Sequence, residues 1–514
     1  MEGFGGAITD AAGYVYSLMK EEQKHQLMET YFSPEQMKYG IVRIHMDSCD
    51  FSTEMYEAMS DPSDRELKTF SFSRTEKYIL PMLADAENAA GKKLKLMLSP
   101  WSPPAFMKTN GERKHGGSLK PEYREFWADY ICRYILEFRK RGYEVQRISL
   151  QNEPKAVQPW DSCIYTAREE KEFLRDFMYP ALQKHDLCDV EVFIWDHNKE
   201  RVYERVRDTV DETTKDMVAG VAFHWYSGDH FEALDLVRRQ YPQLKMVVSE
   251  SCIEYTKFGA ADGVVNAGRL SHEIIGDLNG GMCAFYDWNL LLDETGGPNH
   301  VGNLCHAPFL YDRHHKELLP QLIQKHFYHF AHFVEPGAKR IAFSKYTDEL
   351  DVTAVQNPDG KIVIVILNRS EECLSVVLRL QEHIVPLQVE AQSICTVLRN
   401  PDRAEALRDR LPEGYFLSEN DRTMYRVLLQ RGLSGQELDI SALGENLSPQ
   451  AVDRLAKWQL PGAPPVTDEE AEDCLKCLRD YAARMSRDEL GQLSGEALRQ
   501  YIENLNREKS RRKE

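Results

Sequence analysis

The 514-residue sequence predicts an α/β fold: a (β/α)8 TIM barrel, then a small antiparallel β-sandwich domain and a C-terminal all-helical appendage. Three patterns along the chain predict this order. Short apolar runs first alternate with amphipathic stretches, strand-like runs then follow one another without helices, and helical spacing takes over at the end. The predicted domains are 1–335, 336–399 and 400–514.

Eight short β-branched or apolar runs mark the strands of the predicted barrel. Each run ends in polar residues and is followed by an amphipathic stretch, which is the pattern of repeated βα units. Such barrels carry their active site at the C-terminal ends of the strands, so these ends are where we look for chemistry. The predicted strands are Phe4–Ile8, Gly40–Met46, Leu94–Leu98, Val145–Leu150, Val190–Trp195, Val218–Trp225, Lys245–Ser249 and Met282–Trp288.

The pattern changes at Gly337, after which strand-like runs continue to Leu398 without helices between them. They read RIAFSKY, LDVTAVQ, KIVIVILN, SVVLRL and SICTVL, with a turn signal, NPDG, at Asn357–Gly360. Beyond Asn400, TMYRVLLQ and ALRQYIENL have helical apolar spacing and are separated by a proline-rich segment, Leu460–Pro465. These changes predict a small β domain and then a separate helical domain.

The composition argues against several classes of protein. Hydrophobic residues at 42% and charged residues at 28% are typical of a globular protein, and no apolar run approaches the ~18 residues of a membrane helix. An excess of 82 acidic over 64 basic residues, a formal charge of -18, disfavours binding to nucleic acid. The odd count of 11 cysteines and an N-terminus without a secretory signal predict a cytoplasmic protein with free thiols.

Two predicted strands end in a glutamate. Glu153 follows the fourth strand in QNEP, and Glu250 ends the seventh in VVSESC, across the barrel mouth. A protonated and an ionised carboxyl group are the minimum apparatus of glycoside hydrolysis, and a separation of about 5–5.5 Å is typical of retaining enzymes. We assign the proton donor to Glu153, because Asn152 beside it could hold a sugar hydroxyl, and the nucleophile to Glu250. A single glutamate at a strand end could merely cap a helix, but two at these strands favour catalysis.

Aromatic side chains at the strand ends are the second part of the signal. The apolar C–H face of a sugar packs on an indole ring, while its hydroxyl groups need polar partners. The aromatic candidates are Trp101, Trp195, Trp225, Tyr226 and Trp288. The polar candidates beside them are Asp50, Asp196, His224, Asn289 and Asn299.

These motifs carry a family resemblance. GFGGAITDAA, RIHMDSCDFS, LSPWSPPAFMKTNG, QNEP, HWYSG, SESC, DWNLLLDETGGPN and PDGKIVIVILNRS are similar, in order, to motifs of glycoside hydrolase family 30. The sequence most resembles the glucosylceramidase branch of that family. The resemblance implies retaining cleavage of β-glucosides, with Glu153 as acid/base and Glu250 as nucleophile.

The resemblance also implies roles for the neighbouring residues. Asp50 and Trp101 would hold the hydroxyl groups of the terminal glucose. Trp288 and Asn289 would line the same pocket, Tyr226 would lie beside the nucleophile, and Asn299 would reach the sugar from the eighth loop.

Two features depart from the family pattern. Family members have a strand before GFGGA, whereas this chain begins at that motif. The tail, including LPEGYFLSENDRTMYRVLLQRG, resembles the helicase-binding region of bacterial DNA primases. That likeness implies a contact with a replicative helicase, and a generic amphipathic bundle is the alternative.

The leading functional hypothesis is a bacterial retaining β-glucosidase of the glucosylceramidase type, acting on glucosylated lipids or oligosaccharides. A β-xylosidase and an endo-β-1,6-glucanase are alternatives, since loops decide between them. A non-catalytic carbohydrate-binding or helicase-adaptor protein is the alternative from another class, and the presence of both carboxylates favours the enzyme. We expect no metal and no cofactor, because the first strand lacks a His-x-His motif and no strand end supplies a set of metal ligands.

Overall fold

The computed structural model describes residues 1–259, 263–380, 383–399, 419–434 and 447–452. Its first eight strands form a closed parallel barrel in the order β1 to β8, which confirms the predicted barrel. All eight predicted strands are present, with ends shifted by a few residues. They are β1 (Gly3–Ala7), β2 (Ile41–Met46), β3 (Lys95–Pro100), β4 (Glu144–Ser149), β5 (Glu191–Asn198), β6 (Gly220–His224), β7 (Lys245–Glu250) and β8 (Ala284–Asp287).

The barrel is filled by one side-chain layer and covered by another. Alternate residues of the strands point inward, and Ile41, Met97, Phe193 and Tyr286 are among those that fill the interior. The other face of each strand packs against the helices in a larger core. The helices are α1 (Asp10–Ser17), α2 (Glu21–Phe32), α3 (Ser73–Ala90), α4 (Arg124–Lys140), α5 (Ala167–Phe173), α6 (Tyr179–Lys184), α7 (Val202–Thr209), α8 (Phe231–Gln240), α9 (Tyr255–Phe258), α10 (Gly263–Gly280) and α11 (Leu322–Ala331).

The loop after β8 contains a small sheet that the sequence did not predict. Its strands are β9 (Leu292–Asp293), β10 (Phe309–Asp312) and β11 (Glu317–Pro320), in the order β11-β10-β9. Gly296 lies between β9 and β10 with a φ of 86°, and a Cβ there would meet the carbonyl oxygen of Cys305 at 2.4 Å. Glycine is therefore required for this loop to fold back towards the barrel mouth.

The β domain differs from the prediction at two places. A four-stranded antiparallel sheet contains β12 (Lys339–Arg340), β13 (Leu350–Gln356), β14 (Ile362–Asn368) and β17 (Ser393–Arg399) in that order. The predicted strand RIAFSKY is wrong beyond Arg340, because its side chains are mostly exposed and provide no buried face. The strand His383–Val389 was missed because Pro386 argues against a strand; it is β16, and it pairs only with β15 (Leu374–Leu380) among the described strands.

The chain divides into two compact units. The first contains Met1–Leu374 with Gln388–Arg399, and the second contains Ser375–Leu387 with Asn400–Glu514. The predicted helical stretch TMYRVLLQ lies within α12 (Glu419–Ser434). The rest of the predicted helical domain, apart from 447–452, lies outside the described residues, so its likeness to primases stays a prediction. Among the described helices, none is long and apolar enough to cross a membrane.

Candidate active site

A cavity of about 170 Å³ lies at the C-terminal ends of the barrel strands. Both predicted catalytic glutamates face it, together with five of the predicted substrate-binding residues. Its lining consists of Asp50, Phe51, Trp101, Asn152, Glu153, Gln158, Trp160, His197, Asn198, Tyr226, Glu250, Cys252, Glu254, Trp288, Asn303 and Cys305.

Glu250 ends β7 and is held at both carboxylate oxygens. Arg43 Nη1 donates to its Oε2 at 2.6 Å, and the hydroxyl group of Tyr226 donates to its Oε1 at 3.0 Å. The Glu250 residue is only 7% exposed. These two donors fix the carboxylate in one orientation.

Arg43 connects the residues at the barrel mouth. Besides Glu250, its Nη2 donates to Asn152 Oδ1 at 2.7 Å and to Asp196 Oδ2 at 2.8 Å. Its guanidinium group lies 4.8 Å from the centre of the Trp101 ring. Burial alone would lower the pKa of Arg43, but the charges of Asp196 and Glu250 raise it, so it stays a cation. Arg43 is not among the residues predicted from the sequence, although a charged residue inside the apolar run IVRIHM was a signal.

Glu153 adopts a left-handed backbone conformation, with a φ of 47°. Its backbone N–H donates to the carbonyl oxygen of Asp196 at 2.9 Å, and that of Asn152 donates to the carbonyl oxygen of Pro100 at 2.8 Å. Such a conformation costs about 1–3 kcal/mol at a residue other than glycine, and residues of this kind cluster at active sites. The neighbouring strands β3 and β5 therefore hold the Glu153 side chain at the cavity.

Two β-bulges shape the mouth of the barrel. The register between β5 and β6 shifts between Trp195 and His197, and that between β6 and β7 shifts between Phe223 and His224. Trp195 and Asp196 have φ values of 75° and 51° at the first bulge. Because a bulge changes which way the following side chains point, it places Asp196, His197 and His224 together around Glu153.

A chain of polar contacts links Arg43 to Glu153. Asp196 Oδ1 lies 3.1 Å from His224 Nε2, and His224 Nδ1 lies 3.2 Å from Glu153 Oε1. The nearest approach of His197 is 3.6 Å, from its Nδ1 to the same Glu153 oxygen. Asp196 also accepts hydrogen bonds from the hydroxyl groups of Ser149 and Ser249. Asp196 and His224 were predicted as polar candidates, whereas His197, which follows Asp196 in WDHN, was not.

Burial and charge oppose one another at these groups. Burial alone would lower the pKa of His224, but the charges of Glu250 and Asp196 and its hydrogen bonds raise it to about 9. Burial alone would raise the pKa of Glu153, yet the charges of His197 and His224 lower it. These two directions favour a protonated His224 beside an ionised Glu153.

Asp50 has the opposite electrostatic environment. Burial, and after it the charge of Glu250, raises the pKa of Asp50 to about 8. Asn299 Nδ2 and Asn303 Nδ2 donate to its Oδ2 at 3.2 and 3.4 Å. Asn299 therefore contacts Asp50 rather than lining the cavity, and Asn303 is the lining residue of this loop.

The aromatic candidates fall into two groups. Trp101 and Trp288 line the cavity and stack on one another, with ring centres 5.3 Å apart and planes inclined by 19°. Trp195 and Trp225 are buried outside the lining, where their indole N–H groups donate to the carbonyl oxygens of Asn198 and Cys252. Trp160, which was not singled out from the sequence, lines the cavity instead.

The structure separates Asn289 from the other candidates. The Thr9 hydroxyl group donates to Asn289 Oδ1 at 2.6 Å, and Thr9 also caps α1 by accepting from the backbone N–H of Ala12. Asn289 is fully buried and is not among the lining residues. Its position connects β8 to the first helix, so it supports the rim without facing the cavity.

Two buried thiols lie beneath Tyr226. Cys252 Sγ is 3.4 Å from the Tyr226 hydroxyl group, and Cys305 hydrogen-bonds to Cys252. Burial raises the pKa of the Cys252 thiol. Sequence reasoning missed both as lining residues, because nothing in the local sequence indicates that the loop after β8 folds back onto β7.

Comparison with known proteins extends over nearly four fifths of the chain. Residues 1–335 match the glycosyl hydrolase family 30 TIM-barrel domain, and residues 337–397 match the glycosyl hydrolase family 30 beta sandwich domain. With the sheets described above, these matches confirm the predicted barrel and β-sandwich.

Individual relatives agree with these matches. The lysosomal acid glucosylceramidase of Mus musculus is 30% identical over 394 residues, which cover 72% of this chain and 75% of that protein. The crystal structure of SrfJ from Salmonella typhimurium is 37% identical with a TM-score of 0.76, covering 78% of this chain and 90% of that one. An endo-β-1,6-glucanase structure shares the fold at 24% identity and a TM-score of 0.69, covering 77% of this chain and 90% of that one.

Proposed function

The chain belongs to glycosyl hydrolase family 30, and from this we propose that it is a retaining β-glucosidase of the glucosylceramidase type. Glu250 is the nucleophile and Glu153 the acid/base in this proposal. The observation that carries it is that both carboxylates face one cavity while a single buried guanidinium group, that of Arg43, joins Glu250 to Asn152 beside Glu153.

In the first proposed step Glu250 attacks the anomeric carbon while Glu153 protonates the departing glycosidic oxygen. Tyr226 and Arg43 hold the attacking carboxylate, so Glu250 needs little reorientation when the substrate binds. The proton for the leaving group passes from His224 Nδ1 to Glu153 Oε1 across their 3.2 Å contact. A covalent glycosyl-enzyme results.

In the second step Glu153 acts as a base. It takes a proton from a water molecule in the space vacated by the aglycone, and the water oxygen attacks the anomeric carbon. The proton then returns from Glu153 to His224 Nδ1 across their contact. The carboxylate of Glu250 is released in its original state, held again by Arg43. The sugar therefore leaves with the β configuration that it had in the substrate.

The cavity is suited to one sugar ring. Its volume of about 170 Å³ is below the roughly 300–1,000 Å³ of pockets for larger ligands. Trp101 and Trp288 offer an apolar surface, and Asp50 and Asn303 offer polar partners for the hydroxyl groups. We therefore assign the cavity to the terminal glucose. The likeness to a protein named glucosylceramidase supports a glucosylated lipid as the substrate.

Turnover of a panel of substrates by the purified full chain tests the proposal. We expect hydrolysis of aryl β-glucosides and of glucosylceramide, with β-glucose as the first product detected by NMR. Preference for β-1,6-glucan would indicate an endo-β-1,6-glucanase, and preference for aryl β-xylosides would indicate a β-xylosidase. Binding of sugar without turnover would indicate a carbohydrate-binding protein, and Glu250→Gln provides the inactive control.

A further inference from the structure

We propose that Glu153, His197 and His224 form a binding site for a divalent transition-metal ion of the zinc type, and that a metal ion bound there inhibits the enzyme. The metal ion has no part in the proposed hydrolysis. It would occupy the carboxylate that must protonate the glycosidic oxygen, so binding of metal and turnover exclude one another.

The donor atoms have the spacing that a metal ion needs. One carboxylate oxygen and two imidazole nitrogens lie within 4.8 Å of one another. Glu153 Oε1 is 3.2 Å from His224 Nδ1 and 3.6 Å from His197 Nδ1. In a tetrahedral zinc site with bonds of 2.0–2.1 Å, neighbouring ligand atoms are about 3.3–3.4 Å apart. The three side chains could therefore bind zinc with small adjustments.

The outer contacts of His224 are those of a metal ligand. His224 Nε2 lies 3.1 Å from the carboxylate of Asp196, which is itself held by Arg43 and two serine hydroxyl groups. Zinc would displace the proton of His224 Nδ1, while the Nε2 hydrogen stays donated to Asp196, so that the freed Nδ1 lone pair faces Glu153 and the metal ion. A carboxylate behind a histidine fixes the ring and its tautomer in many zinc sites.

His197 supplies a nitrogen that lacks a hydrogen bond. Its Nδ1 is buried and has no hydrogen-bond partner among the described residues, since Glu153 Oε1 is too distant. Its ring nevertheless lines the cavity, so a fourth ligand could come from solvent. A buried polar atom without a partner costs free energy, and a metal ion would remove that cost.

The charge of the cavity favours a cation. Glu153, Glu250 and Glu254 line it, whereas the described lining contains no lysine or arginine side chain. Walls of one sign raise the local concentration of ions of the other sign. With three protein ligands, a zinc ion has a fourth position that an exchangeable water molecule can occupy.

Calorimetric titration of the metal-free full chain with ZnCl2 tests the site directly. We expect one zinc ion per chain in the wild type, and an affinity lowered by at least about tenfold in His197→Asn and in His197→Gln. Four-coordinate Co2+ should give a visible absorption band in the wild type that both variants lose. His315→Asn is the matched control, because His315 pairs with Asp312 at the surface, and its affinity should equal that of the wild type.

Inhibition provides a second readout that rests on the proposed function, whereas binding does not. Zinc should inhibit hydrolysis of an aryl β-glucoside, and half-inhibition of either His197 variant should need at least about ten times more zinc. Equal zinc affinity in the wild type and both His197 variants, no one-to-one binding in the wild type, or loss of binding in the His315 control would overturn the site. Binding that depends on His197 in a chain that hydrolyses no glycoside would support the site and reject the proposed function.

Discussion

The two ends of the barrel each bury an arginine among carboxylates, but their charges are balanced differently. At the base, Arg147 and Lys245 pair with Glu2 and Glu191, two cations with two anions. At the mouth, Arg43 contacts Asp196 and Glu250, while Asp50, Glu153 and Glu254 add three more carboxyl groups around the cavity.

The backbone differs in the same way. Glu153, Trp195 and Asp196 at the mouth have left-handed φ values, and none of the four base residues does. Close like charges and strained backbone reduce stability, and proteins retain them where function requires them. We infer that the base cluster stabilises the fold and that the mouth gives up stability for chemistry.

Replacing a glutamate by glutamine at the mouth and at the base should give the largest difference in turnover between the two ends. Glu250→Gln should abolish turnover, because no glycosyl-enzyme can form without the nucleophile. Glu191→Gln should leave kcat within about twofold and lower the free energy of unfolding by about 1–2 kcal/mol. Steady-state kinetics and denaturant unfolding of both variants measure this. A Glu191→Gln variant that is folded but inactive would contradict the division between the two ends.

Within the mouth, the two glutamates should differ in their dependence on the leaving group. Glu153→Gln should slow substrates with poor leaving groups by about 10²–10⁴-fold and spare formation of the intermediate from activated aryl glucosides. Glu254→Gln is the matched control, since Glu254 lines the same cavity, and it should keep the ratio of the two rates. Pre-steady-state kinetics on the two substrate classes distinguish the cases. Equal losses in Glu153→Gln would reject its role as acid/base.

Arginine-to-lysine changes compare the two buried guanidinium groups. Lysine cannot make the separate contacts of Arg43 with Glu250, Asn152 and Asp196, so Arg43→Lys should lower kcat by roughly 10–100-fold. Arg147→Lys should lower the denaturant midpoint and leave kcat nearly unchanged. A rise in KM with unchanged kcat in Arg43→Lys would show that Arg43 acts on sugar binding and not on the nucleophile.

Much of the fold, and the position of the two proposed catalytic glutamates at the barrel mouth, could be predicted from local sequence. The eight strands were found because each β-branched run ends in polar residues, and Glu153 and Glu250 stood at two of those ends. Contacts distant in sequence could not be read in this way: Arg43 and Glu250 are 207 positions apart. Trp195 lies near the end of β5 as predicted, but its indole ring is buried outside the cavity lining, because the bulge in β5 depends on its pairing with β6.

The same dependence on pairing explains the missed histidine. His197 follows Asp196, and alternation along a regular strand would place the two side chains on opposite faces. The bulge in β5 cancels that alternation, so His197 reaches Glu153 beside His224. The proposed metal site therefore could not be recognised strand by strand from the sequence, which predicted no metal ligands.

The smallest expected effect is a difference in the pH dependence of stability between the two ends. Folded Asp50 keeps its proton up to a pKa of about 8, whereas the unfolded chain releases it near its ordinary value of 3.8. The folded state thus binds more protons between these values, and the wild type loses stability relative to Asp50→Asn as pH rises through this window.

The pH dependence of stability from Glu2, at the base, has the opposite sign. Burial alone would raise the pKa of Glu2, but Arg147 and Lys245 lower it below the ordinary 4.5. Its contribution is present above that value and is lost as pH falls. Thermal midpoints from pH 3.5 to about 9 should therefore show Asp50→Asn gaining a few degrees on the wild type towards high pH, while the deficit of Glu2→Gln shrinks towards low pH. Parallel curves for the wild type and Asp50→Asn would show that the mouth carries no unfavourable charge at this residue.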